Sequence, residues 1–189
     1  MKRIMSAALI FAVVIFGMTG CGNSDKKENK KSPIETQEKY GSVEKETVDV
    51  LVAKFNTETV DNSSLNPAST DYLTESDNKY WYGLIEGIYL VVVPEKYTGD
   101  KTADVVDYMV IYVFKNSNYK ADAVTYAKYL IKANNSQIAD SQIDTLLEDA
   151  KTKSANGKTA NSKKGISVGY LETDEYYEYQ VLRTDKAYN

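Results

Sequence analysis

The chain has 189 residues and a mass of 21.2 kDa, with 42% hydrophobic and 26% charged residues, which fits one folded domain of ordinary size with appendages. A net charge of -4 and a pI near 5.0 argue against a nucleic-acid partner, which calls for a basic surface. Histidine is absent and there is one cysteine, Cys21, so Ser-His-Asp and Cys-His catalysis, His-ligated metals and intramolecular disulfides are all excluded.

The first element is a short cationic start, Lys2-Arg3, followed by thirteen residues from Ile4 to Phe16 that are apolar except for Ser6. As a helix these span about 20 Å, short of the ~30 Å hydrocarbon core, so the segment reads as the hydrophobic region of a signal peptide over residues 1–20. Met18-Thr19-Gly20-Cys21 then resembles the lipobox of bacterial lipoproteins, with Met18 in place of the usual leucine. The resemblance implies cleavage before Cys21, a diacylglyceryl group on its thiol, and an anchor in membrane lipid on the extracytoplasmic face of the cell membrane. Two acyl chains suffice for stable attachment. Acylation also removes the only thiol from chemistry.

Residues 21–42 carry five lysines against four carboxylates and almost no apolar side chains, the composition of a solvated tether. Residues 43–189 form the predicted single α+β domain. A helix is expected over Val43 to Asn56, capped by Ser42, with Val48, Leu51, Val52 and Phe55 on its buried face. A long polar loop to Lys79 follows, with one helical turn near Thr70 to Leu73. Two strands are expected, Tyr80 to Val93 and Val105 to Phe114, whose apolar centres require cover on both faces. Three helices would then divide between the two faces. Gly83 and Gly87 mark a bulge, a bend or a close approach in the first strand.

Helices are expected over Asp122 to Ala133 and Ser141 to Lys153, the latter with a Ser141/Asp144 capping box. A polar loop, Ser154 to Lys164, precedes a closing hairpin of Gly165 to Glu172 and Tyr176 to Arg183. The predicted order is α-β-β-α-α-β-β, an antiparallel sheet of about four strands with three helices.

Chemistry-bearing patterns are few. Gly99-Asp100-Lys101-Thr102 has the tail of a phosphate loop but no upstream glycine. Two Ser-x-x-Lys runs, at Ser42 and Ser117, lack the companion motifs of penicillin-binding enzymes. Asp71, Glu75 and Asp77 lack calcium-loop spacing, and Asp174, Glu175 and Glu178 sit where a hairpin tip is expected. No enzyme, metal or cofactor is expected.

Tyrosine is the compositional anomaly: sixteen against four phenylalanines. Phenol rings bind well while tolerating water at one end. Tyr80, Trp81, Tyr82, Tyr177 and Tyr179 are the expected ligand-binding set, rimmed by Glu175 and Glu178 and favouring neutral or cationic partners. The function expected is a non-enzymatic, membrane-anchored module that binds a protein, peptide or glycan. An inhibitor or immunity-type lipoprotein is the alternative, and a carboxylate-based hydrolase a more distant one.

Overall fold

A computed structural model describes residues 31–34, 45–60, 65–162 and 164–184. The signal peptide, Cys21, most of the tether and the Ser42 cap lie outside the described residues. Among those described, the chain forms three α-helices, α1 (Val48–Val60), α2 (Ala123–Asn134) and α3 (Asp140–Ser154). It also forms seven strands: β1 (Leu73–Ser76), β2 (Lys79–Ile85), β3 (Ile88–Pro94), β4 (Val106–Phe114), β5 (Ala160–Asn161), β6 (Ile166–Glu172) and β7 (Tyr176–Arg183). They make one fully antiparallel sheet in the order β1-β2-β3-β4-β7-β6-β5. The α+β class stands, but four strands become seven and the predicted element order is replaced by α-β-β-β-β-α-α-β-β-β.

The main difference is at Glu86-Gly87. The fourteen residues read as one strand are a hairpin, β2 and β3, turned at Gly87 with φ of 77°. A side chain there would also collide, since a Cβ at Gly87 would stand 2.7 Å from that of Ser117. The Ser117 hydroxyl donates to the Glu86 carbonyl at 2.7 Å and latches the turn. A second hairpin, β1 to β2, turns on Asp77 and Asn78, both with positive φ, a conformation that short polar side chains tolerate. The polar loop thus ends in a strand, after the expected helical turn at Thr70–Tyr72.

Helix α1 begins five residues later than predicted because the chain before it joins the sheet. Thr47 bridges to Val105, and the Val106 N–H donates to the Glu46 carbonyl at 3.0 Å. At α3 the Gln142 side chain, rather than Asp144, reaches back to the Ala139 N–H at 3.3 Å. Asp144 pairs instead with Lys128 of α2 at 2.6 Å, and Asp140 with Lys132 at 2.7 Å.

All three helices lie on one face of the sheet. Leu51, Val52 and Phe55 of α1, Ala127, Leu130 and Ile131 of α2, and Ile143, Leu147 and Ala150 of α3 share one core with alternate residues of β2, β3, β4, β6 and β7. The expected division of helices between the two faces does not occur. The opposite face carries its own small apolar cluster of Val91, Tyr108 and Val110, covered by Ile34 from the tether. Ile34 is only 7% exposed.

Candidate functional site: the open face of the sheet

Strand periodicity of two decides which side chains reach this face. The register aligns Thr74, Trp81, Val91, Val110, Gln180 and Gly169 straight across six strands. The next row toward one end is Gly83, Tyr89, Tyr112, Glu178 and Leu171, and beyond it Phe114 opposes Tyr176. Five aromatic rings therefore converge. Trp81 meets Tyr112 edge-on at 5.5 Å and Tyr89 at 6.2 Å; Phe114 meets Tyr112 at 5.2 Å and Tyr89 at 6.1 Å. Tyr176 stacks on Tyr112 with centroids 4.5 Å apart.

Four of these rings are half-buried, and Phe114 is 37% exposed at the rim. The Trp81 indole N–H is shielded from solvent and meets no acceptor among the described residues. A donor left in that state costs about 1–3 kcal/mol. Burial, then Tyr176, Glu178 and Glu175, push the Tyr112 phenol well above its ordinary range; burial and the same two carboxylates raise Tyr176. Both phenols stay neutral at physiological pH beside an acidic rim. The surface offers hydroxyls, ring faces and a negative field, which suits uncharged or cationic ligands.

The predicted five-residue set does not form one surface. Tyr80, Tyr82 and Tyr179 are 0%, 2% and 1% exposed and point under the helices. Tyr80 donates to Asp104 at 2.5 Å; Tyr82, pushed up to about 12 by burial with Asp49 and Glu75 nearby, is core. Tyr177 packs against the same core, its hydroxyl donating to the Lys120 carbonyl at 3.2 Å. Trp81 alone is on the opposite face. Neighbours in sequence on a strand cannot share a face, so Tyr80-Trp81-Tyr82 was bound to split. Of the predicted rim, Glu178 stays beside the open face, its carboxylate accepting from Gln180 Nε2 at 2.8 Å.

Sequence reasoning missed Tyr89, Tyr112, Phe114 and Tyr176. The two-residue turn at Glu86-Gly87 would by itself pair Trp81 with Val92. The bulge between Gly83 and Ile85, one of the options the two glycines mark, shifts the register by one and sets Trp81 opposite Val91 and Gly83 opposite Tyr89.

Other chemical candidates resolve into local structure. Asp100 accepts from the Thr102 N–H at 3.0 Å and its hydroxyl at 2.7 Å, a closed turn rather than a phosphate cradle. Ser117 is the latch described above. Glu75 accepts from the Tyr97 hydroxyl. Among the described residues no group of three or more His, Cys, Asp or Glu could hold a metal ion, and no helix is long and apolar enough to cross a membrane.

A polar cleft of about 390 Å³ lies at the end of α1 and α2, lined in part by Glu46, Lys54, Lys132, Asn134 and Arg183. Lys54 pairs with Glu46 at 2.5 Å and Lys132 with Asp140, while Glu46 Oε2, approached by Arg183 at 3.7 Å, accepts no hydrogen bond among the described residues. The chain matches no family model, no curated protein and no solved structure.

Proposed function

We propose that this chain is an extracytoplasmic lipoprotein, anchored through acylated Cys21, that binds a peptide segment of a protein partner on the open face of its sheet, without catalysis. The observation that carries the reading is the five-ring cluster on the face opposite the helices. Concentrated aromatic surface on a sheet face that no described helix covers is a mark of recognition. The unsatisfied Trp81 N–H favours a ligand rich in carbonyl acceptors, as a peptide backbone is. The neutral phenols and the nearby carboxylates favour uncharged or basic segments.

The test has two arms in intact cells. Labelled palmitate should enter the wild-type protein and not Cys21→Ala, which should leave the membrane fraction or remain uncleaved. A photo-crosslinking residue at position 114 should yield a discrete protein adduct that Tyr112→Ala abolishes and Lys54→Ala, in the cleft, leaves intact. Loss of the adduct in the cleft variant alone, or no adduct from the open face, overturns the binding reading.

A further inference from the structure

The open face already has a peptide on it. Ser32, Pro33 and Ile34 are buried there although the chain around them is polar. The Ser32 hydroxyl donates to Gln180 Oε1 at 2.6 Å. Ile34 packs on Val91, Tyr108 and Val110, with Trp81, Tyr89 and Tyr112 bordering the same cluster.

The floor under Pro33 is made by a missing side chain. A Cβ on Gly169 would stand 3.4 Å from Pro33 Cβ and 2.9 Å from Gln180 Oε1. A small polar residue, a proline and a β-branched aliphatic thus occupy three adjoining features: an amide acceptor, a glycine-floored groove and an apolar pocket. Lys30 and Lys31 precede them, and Glu178, bonded to Gln180, stands beside their acceptor.

We infer that Ser32-Pro33-Ile34 is a built-in competitor, a strap holding the place that a partner's small-polar–Pro–aliphatic segment takes on the same face. The inference rests on the reading that the open face binds peptide, and it names that peptide's chemistry. The strap shares one chain with its site, so a partner binds only the fraction of molecules whose strap has lifted. Its apparent affinity is reduced by that fraction. Weakening the strap tightens the partner; fixing it excludes the partner.

The probe is a synthetic peptide copying residues 29–36, Asn-Lys-Lys-Ser-Pro-Ile-Glu-Thr, titrated into the full chain in detergent and followed by Trp81 emission. Ile34→Ala in the chain should lower the apparent Kd about tenfold, and the Ile→Asp peptide should not bind. Melting curves check that Ile34→Ala remains folded, as expected for a change outside the main core.

A second variant needs no comparison between different proteins. Pro33 Cβ and a Cβ at Gly169 would stand 3.4 Å apart, at the short edge of the disulfide range of about 3.5–4.5 Å. The only obstruction, Gln180 Oε1, is the end of a flexible side chain. Pro33→Cys with Gly169→Cys in the Cys21→Ala chain should therefore form a disulfide. Peptide binding should fall about a hundredfold when it is oxidised and return on reduction.

Equal binding by the oxidised and reduced chains overturns the inference, as does failure of the disulfide to form in folded protein or an unchanged Kd in Ile34→Ala. The crosslink from position 114 separates the two readings. An adduct that persists undiminished in the oxidised chain rejects the strap as competitor and keeps the open face as the binding surface. Absence of an adduct from every variant rejects the surface itself.

Discussion

Asp104 shows how a single buried charge organises one end of the fold. It is 2% exposed and accepts from the Tyr80 hydroxyl at 2.5 Å, the Thr98 hydroxyl and the Thr98 N–H, while its own carbonyl accepts from Val48 at the start of α1. Burial alone would raise its pKa. The bonds from Thr98, Tyr80 and the backbone outweigh burial and hold it below the ordinary 3.8. A carboxylate lowered in the folded state contributes stability that is complete above its unfolded pKa and is lost as pH falls through the folded value. Asp104→Ala should cost about 3 kcal/mol, because the buried Tyr80 hydroxyl is left unpaired and the hydrogen bonds from Thr98 to the carboxylate are lost. Thermal melts should show a drop of roughly 10 °C near pH 7. That gap should narrow below pH 3.8, where the wild type loses the same interaction.

None of this was visible in the sequence, where Asp104 is one carboxylate in a turn-prone run. The contrast with Tyr80-Trp81-Tyr82 is instructive. The residues chosen were the right kind and do lie on a strand, although the single strand expected over Tyr80 to Val93 is two. Yet with apolar residues on both alternating sets of β3 and β4, hydrophobicity could not say which parity faced the helices.

At the scale of elements, long periodic segments were legible and short ones were not. The buried faces of α1 and α3, and the closing hairpin β6 to β7, follow the predicted residues closely. Strands β1 and β5, of four and two residues, have too few side chains to establish a period. The β2–β3 hairpin was hidden because apolar residues run up to its turn from both sides. The clue was length, since fourteen residues greatly exceed a typical strand of five or six. Gly87 makes that turn possible, so Gly87→Ala should destabilise the protein by about 2 kcal/mol through left-handed strain, plus displacement of Ser117. Chemical denaturation should show a shifted midpoint with an unchanged slope. A Ser117→Ala background removes the latch but not the positive φ, and it should retain most of the Gly87→Ala loss.

At the scale of the whole molecule, the helix side is a complete core and the open side depends on three residues from the tether. That asymmetry was not legible, because Ser32-Pro33-Ile34 is embedded in a polar, lysine-rich run that by composition has nothing to bury. A chain beginning at Ser42 should still melt cooperatively, since among the described residues the main core is built from Val48 onward. It should lose the cover on Val91, Tyr108 and Val110, however. Burying one isoleucine stabilises by roughly 1.5–3 kcal/mol, less the ordering of the strap, so the melting temperature should fall by only a few degrees. Binding of a hydrophobic dye should rise more visibly than stability falls. A broad, non-cooperative melt would instead show that the strap is part of the core.

The strand order has a kinetic consequence. Among the described strands every neighbouring pair is consecutive in the chain except β4 with β7, where Met109 to Phe114 meet Tyr176 to Val181 across more than sixty residues. Hairpins close over short loops at little entropic cost, whereas this seam needs α2, α3 and β5 to be gathered first. The two sides of the sheet are therefore expected to form as local units and to join along the β4–β7 line after the rate-limiting step. Interactions made after the rate-limiting step act on unfolding rather than folding. Val181→Ala at the seam should accelerate unfolding and leave the refolding rate nearly unchanged, while Val92→Ala within the β3–β4 hairpin should slow refolding. The half-life of the folded molecule is then set at the centre of its sheet, far from either edge.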